Sequence, residues 1–211
     1  MSIAQNLAAI RKNLAGKQVT ILGVTKSQTL EAVQEASAAG LMDFGNNYAQ
    51  EGETVRTRIA ARWHFIGHIQ SRKVKFLVHY DCVQSLDRLS LAEDLNARLM
   101  TAGRTIDALV EINIGEETSK SGIVPSDLDA FVKQMGAYSH IRCRGLMVMP
   151  PPLQPVEKRR PFFARARALF DKYNAAGWDT LSMGTSEDYL LAVEEGSTLV
   201  RLGTVLFGPR A

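Results

Sequence analysis

Apolar residues at Ile3, Leu7, Ile10 and Leu14 recur at helical spacing, with Ser2 and Gln5 placed as a capping box and Gly16 as a terminator. The chain is therefore predicted to open on an amphipathic helix. Behind it the pattern becomes a repeat: a short apolar run rich in β-branched residues, a turn, then ten to twenty residues at helical spacing. The runs at 19–26, 42–45, 62–67, 81–86, 108–114, 141–149, 180–184 and 199–203 read as eight strands, with seven helices between them. Leu91, Leu95 and Leu99 mark one helix that ends at Gly103, and Leu128, Phe131, Val132 and Met135 mark another that ends at Gly136. Ser126 followed by Asp129, and Thr185 followed by Asp188, read as helix starts. Residues 150–161, with Pro150, Pro151, Pro152, Pro155, Pro161 and a basic run, read as an irregular loop after strand six.

Eight parallel strands with right-handed helical crossovers either close into a barrel or stay open and doubly wound. The count of eight, and a first strand not followed by Gly-x-Gly-x-x-Gly, favour a (β/α)8 TIM barrel with an extra N-terminal helix. At 211 residues the chain is near the lower limit for that fold, so residues 1–211 are expected to form one domain. Nothing in it approaches the roughly 20 apolar residues that span a bilayer. The 25 basic and 22 acidic side chains are spread along the chain, and the resulting net charge of +3 exerts a weak pull on anions that gives no support to nucleic-acid binding. Residues 1–16 lack the apolar core and cleavage site of a signal peptide, so a cytoplasmic location is expected. Cys82 and Cys143 sit in β-like stretches without metal-ligand spacing and read as buried, reduced thiols; no metal site is expected.

In such a barrel functional groups collect at the C-terminal ends of the strands, and phosphate is commonly bound after strands seven and eight. Lys26 ends strand one. It reads either as a solvated charge or as an amine that desolvation at the barrel mouth frees to attack an aldehyde. Ser182 and Thr204 are ordinary turn hydroxyls or, beside their glycines, part of a phosphate corner. Arg201 interrupts the apolar strand Leu199-Val200-Arg201-Leu202-Gly203, where an unpaired guanidinium is costly, so it needs a partner. Lysine, arginine and the hydroxyl–glycine corner together describe a ligand with an aldehyde, a ring acceptor and a phosphate. His64 and His68 read as packed, hydrogen-bonded residues before they read as acids or bases. Arg72-Lys73-Val74-Lys75 reads as a solvated helix face, and the loop 115–122 as a flexible segment or a lid.

The segments GVTK (23–26), FGNNYAQE (44–51), WHFIGHIQSRK (63–73), INIGEETSKSGI (112–123), RGLMVMP (144–150), LSMGTSED (181–188) and GSTLVRLGTVLFG (196–208) cover almost the whole chain in order. They resemble the pyridoxal phosphate homeostasis protein family, single-domain relatives of the alanine racemase barrel. The resemblance implies pyridoxal 5′-phosphate as cofactor, a Schiff base on Lys26, Asn47 lining the cofactor, and Ser182, Gly203 and Thr204 receiving the phosphate. Arg201 would face the pyridine nitrogen. Asn46 stands where that family usually has glutamate, and Arg72 where it often has asparagine.

An arginine at the ring nitrogen keeps that nitrogen unprotonated and weakens the cofactor as an electron sink. Racemase relatives draw a second base, a tyrosine, from an added C-terminal β domain, whereas this sequence ends at Ala211, just after strand eight. The expectation is a cytoplasmic, monomeric cofactor carrier that serves pyridoxal phosphate homeostasis and amino-acid and keto-acid balance, not an enzyme with assigned catalytic residues. Apo forms of pyridoxal-phosphate-dependent enzymes are candidate recipients. A one-base racemase or transaminase of weak activity is the alternative, and an imine-forming barrel enzyme of another class is a third reading.

Overall fold

The eight apolar runs form eight strands: β1 (Thr20–Val24), β2 (Asp43–Asn46), β3 (Arg62–Phe65), β4 (Cys82–Leu86), β5 (Ile106–Ile112), β6 (Ile141–Val148), β7 (Thr180–Thr185) and β8 (Leu199–Leu202). In the computed structural model they close, all parallel and in chain order, into a barrel sealed by β1 against β8 in the register Thr20↔Leu199 and Leu22↔Arg201. The structure describes residues 2–173 and 176–209, and of Gln50 and Glu51 only the backbone. Met1, Asn174, Ala175, Arg210 and Ala211, which belong to the expected 1–211 unit, lie outside the described residues.

The first helix, α1 (Ile3–Asn13), starts on the expected Ser2–Gln5 capping box and buries Ile3, Leu7 and Ile10. Crossovers are made by α2 (Leu30–Ala38), α3 (Ala49–Arg56), a 3-10 helix (Ser71–His79), α4 (Leu89–Thr101), α5 (Leu128–Met135), α6 (Arg160–Asp171) and α7 (Tyr189–Glu194), and a single turn, α8 (Thr204–Phe207), follows β8. The third crossover differs from the α-helix expected around residues 72–75. Val74, Leu77 and Tyr80 are buried at intervals of three, which matches the three residues per turn of a 3-10 helix. Ser126 does not cap α5: a 3-10 turn, Pro125–Asp127, precedes the helix, and the Ser126 hydroxyl donates to Asp127 instead. No helix among the described residues is long and apolar enough to cross a membrane.

Strand alternation divides the apolar material into two populations. One face of the strands packs outward against the helices and forms the main core, which includes Phe44, Val83, Val110, Leu146, Leu181 and Val200. A separate small cluster, Cys82, Leu109 and Met147, fills the lower interior of the barrel. Above it, two residues further along their strands, stand Gln84, Glu111 and, on β8, Arg201. The upper interior is therefore polar. Both cysteines are free; burial pushes both thiols up, Cys143 to about 11, so neither is a nucleophile at neutral pH.

Candidate functional site

A cavity of about 440 Å³ opens at the C-terminal ends of the strands, within the usual range of roughly 300–1,000 Å³ for small-molecule sites. Val24, Ile66 and Met149 give it an apolar wall; Lys26, Asn47, Arg159, Arg201, Thr204 and the turn from Gly184 to Asp188 give it polar groups. Lys26 stands two residues beyond β1, half-buried, with Nζ 5.5 Å from the centre of the Tyr48 ring. Asn47 is fixed by close backbone approach, since a Cβ on Gly67 would lie 2.0 Å from the Asn47 carbonyl oxygen. Its Oδ1 is buried without a hydrogen-bond partner.

Arg201 is 5% exposed and has no carboxylate partner among the described residues. Its Nη1 donates to Ser182 O (2.9 Å) and Ser182 Oγ (2.6 Å), and its Nη2 donates to Val148 O (3.0 Å). Nε–H and the second Nη2 hydrogen meet no acceptor among the described residues, although Arg201 lines the cavity. Burial lowers this guanidinium to about 10, while Asp188 and Glu111 oppose the shift.

Ser182 is the expected phosphate ligand that the geometry moves. It is fully buried, does not line the cavity, and its Oγ accepts from Arg201 and donates to Gln84 Oε1 at 2.7 Å. The physical reason is strand length: β7 runs on to Thr185, three residues beyond Ser182, and so carries the mouth upward past that hydroxyl. The hydroxyl that organises the corner is Ser186, whose Oγ accepts from the backbone N–H groups of Gly203 (3.1 Å) and Val205 (3.3 Å). Gly184, at φ +94°, makes the bend, and a Cβ there would lie 2.6 Å from the Ala192 Cβ. Asp188 Oδ1 accepts from Thr185 N–H (2.6 Å) and Oγ1–H (3.0 Å), but the helix does not begin at Thr185 as expected: Thr185 still belongs to β7, and α7 starts later, with Asp188 at its N-cap. Arg159 then ties the proline-rich segment to this turn through Asp188 (2.7 Å) and Glu187 (3.0 Å).

The neighbours of the site also settle into defined positions. The loop 115–122 is held by paired Asn113–Glu117 hydrogen bonds, by Lys120 on Glu117 at 2.7 Å and by Arg165 on Glu116 at 2.7 Å. It returns to the sheet at an Ile112↔Ile123 bridge, which gives it more internal structure than a flexible loop requires. Asn46 lies beneath the lysine segment, where its Nδ2 donates to Thr25 Oγ1 at 2.7 Å. His68 is exposed on Ser121, whereas His64 is enclosed between Asp43 and Gln84.

Glu111 was not singled out from the sequence, although it too is a charge in an apolar strand. Burial first, and the nearby Asp87 second, push its carboxyl up to about 7, against the pull of Arg201. An acid whose pKa is raised on folding adds stability that is complete below its unfolded pKa and is lost as pH rises through its folded pKa. Glu111→Gln is therefore expected to flatten the fall in stability between about pH 4.5 and 7. On the order of 3 kcal/mol is at stake, and denaturant melts at the two pH values give the measurement; parallel wild-type and variant profiles would refute it.

The alanine racemase N-terminal domain model matches residues 1–211. The pyridoxal phosphate homeostasis protein of Pasteurella multocida is 38% identical over 100% of this chain and 98% of its own length, and that of Pseudomonas aeruginosa is 39% identical over 99% and 96%. Among solved structures, PipY of Synechococcus elongatus superposes with a TM-score of 0.92 without pyridoxal phosphate and 0.89 with it bound, at 33% identity, covering 98% of this chain and 100% of PipY. With a family model matched along its whole length and close relatives aligned end to end, the chain belongs to the pyridoxal phosphate homeostasis protein family, on the alanine racemase N-terminal barrel.

Proposed function

We propose that residues 1–211 act as one unit that binds pyridoxal 5′-phosphate and serves its homeostasis as a carrier. One observation carries this reading: an amine (Lys26), a guanidinium with two unfilled donors (Arg201) and a hydroxyl–glycine corner (Ser186, Gly203, Thr204) line the same cavity. Those three features match the aldehyde, ring nitrogen and phosphate of that cofactor, and the buried, unpartnered Asn47 Oδ1 supplies a further polar contact. The solved relative with pyridoxal phosphate bound supports the assignment. When bound, the cofactor supplies an electron sink for amine chemistry.

On this reading Lys26 Nζ joins the cofactor aldehyde as a Schiff base, forming a C=N bond and releasing water. Thr204, Gly203 and the Ser186-braced turn hold the phosphate, Asn47 lines the ring, and Val24, Ile66 and Met149 exclude water from one side. Arg201 holds positive charge beside the ring nitrogen and keeps a proton off it. That arrangement suits storage and release rather than turnover. The two free thiols fit a reducing compartment such as the cytoplasm. On this reading the carrier is a monomer that hands the cofactor to apo enzymes.

The test compares pyridoxal 5′-phosphate with pyridoxal, each titrated by absorbance. Thr204→Ala and Ser186→Ala are each expected to weaken the phosphorylated form by roughly ten- to a hundredfold, the loss of one charge-assisted hydrogen bond, and to leave pyridoxal almost unaffected. Ser182→Ala acts through Arg201 and should weaken both forms alike. Equal losses for both ligands in the Thr204 and Ser186 variants would refute the phosphate corner.

A further inference from the structure

A line of polar side chains, buried except for Asp43 at its far end, crosses the barrel interior from the mouth to the opposite face. Arg201 Nη1 reaches Ser182 Oγ at 2.6 Å, Ser182 Oγ reaches Gln84 Oε1 at 2.7 Å, Gln84 Nε2 reaches His64 Nδ1 at 3.0 Å, and His64 Nε2 reaches Asp43 Oδ1 at 3.1 Å. Ser182 and Gln84 are 0% exposed, His64 2% and Arg201 5%. Nothing in the binding reading requires His64, Gln84 or Asp43.

The chemistry of the two ends fixes the direction of every bond. A guanidinium only donates, so Ser182 Oγ accepts from Arg201 and spends its own proton on Gln84. The Gln84 carbonyl is thereby engaged, and its amide N–H points to His64 Nδ1, which must be bare. The remaining imidazole proton then sits on Nε2 and is donated to the Asp43 carboxylate. Reversing Gln84 would leave the Ser182 proton without an acceptor and would set a bare Nε2 against a carboxylate. One polarised chain thus runs from Arg201 to Asp43 through four hydrogen bonds that reinforce one another in a medium of low dielectric.

We propose that His64, locked as the Nε2–H tautomer by Asp43 and Gln84, is a positioning residue that holds Arg201 in place in the cofactor cavity. The inference rests on the reading that Arg201 faces the ring nitrogen. Free rotation of the Ser182 hydroxyl or a turned Gln84 would weaken the shortest of the three hydrogen bonds that hold the guanidinium, leaving it on the Ser182 and Val148 carbonyls alone and less sharply aimed at the position its two unfilled donors now occupy.

Two measurements test this. The first is a long-range ¹H–¹⁵N spectrum of the wild-type protein at neutral pH, with His64 assigned by its absence in His64→Phe. The expected result is a protonated Nε2 and a bare Nδ1; an Nδ1–H tautomer or an imidazolium would overturn the proposal whether or not any variant folds. The second is the affinity for 4-deoxypyridoxine 5′-phosphate, which carries ring and phosphate but no aldehyde to react with Lys26. Arg201→Met, His64→Phe and Asp43→Leu are each expected to weaken it about tenfold, the loss of one well-placed hydrogen bond. Asp43→Asn, which keeps an acceptor for Nε2–H, should bind as wild type does, whereas a role in packing alone would not separate the Asn and Leu variants. If Arg201→Met weakens the ligand but His64→Phe and Asp43→Leu do not, the positioning role fails and the binding reading stands. If Arg201→Met has no effect either, the placement of the ring against Arg201 fails, and the positioning role with it.

Discussion

Borohydride reduction of the pyridoxal phosphate-loaded protein is expected to fix the cofactor on Lys26, and Lys26→Ala is expected to abolish both the fixed adduct and the visible absorbance of the complex. The amine lines the cavity, half-buried at the end of β1, beside the apolar wall of Val24 and Ile66. Its competitors are elsewhere. Lys120 is paired with Glu117 at 2.7 Å and Lys73 lies over the Phe76 ring, and neither lines the cavity. Hydride adds to the C=N carbon and leaves a secondary amine, so peptide mass mapping locates the site without ambiguity. An adduct on Lys73 or Lys120 in the wild-type protein would refute the assignment. Stability should hardly change: outside the core, Lys26 contributes a cation–π contact to Tyr48 and little else, on the order of 0.5–1 kcal/mol. A melting temperature that collapsed on Lys26→Ala would make the residue structural instead.

The barrel was legible because the strands are largely buried on both faces and therefore appear as short apolar runs, and the crossovers carry their own stripes and stop signals. What sequence spacing missed was depth along a strand. Ser182 and Thr204 looked equivalent beside their glycines, yet β7 continues three residues past Ser182 and buries it, whereas α8 begins at Thr204 and presents it at the mouth. The signal for Ser186 was present in LSMGTSED, where the second hydroxyl of the turn follows the positive-φ glycine. Charge in an apolar strand pointed to Arg201, and the same signal in Ala108-Leu109-Val110-Glu111-Ile112 marks Glu111 on the facing wall. The polar chain through His64 and Gln84 was not legible, because its members are 98 and 20 residues apart and meet only once the barrel closes. No local pattern encodes that meeting.

Arg201 is expected to give the second large effect, and it separates a carrier from an enzyme. Burial lowers this guanidinium to about 10. A cation with a lowered folded pKa holds its proton less tightly in the folded than in the unfolded chain, so the charge subtracts from stability at neutral pH. Arg201→Met removes that cost together with the three hydrogen bonds to Ser182 and Val148, and the two nearly offset, within about 2 kcal/mol. Arg201→Glu does not share this balance. It sets a carboxylate against the Ser182 and Val148 carbonyl oxygens, and roughly 3–5 kcal/mol should be lost. The chemical consequence of Arg201→Met is larger than the structural one. On the proposed placement of Arg201, removing the guanidinium takes away the positive charge that opposes a proton on the ring nitrogen, and the bound cofactor should withdraw electrons more strongly from an amine substrate. Deuterium exchange into the alanine α-position, followed by NMR at matched concentrations of loaded protein, should rise about tenfold or more, equivalent to about 1.4 kcal/mol in barrier. Unchanged exchange would remove Arg201 from any control of the ring. Wild-type exchange at ordinary enzyme rates, on the order of 1 to 1,000 per second, would overturn the carrier reading and make the chain an enzyme.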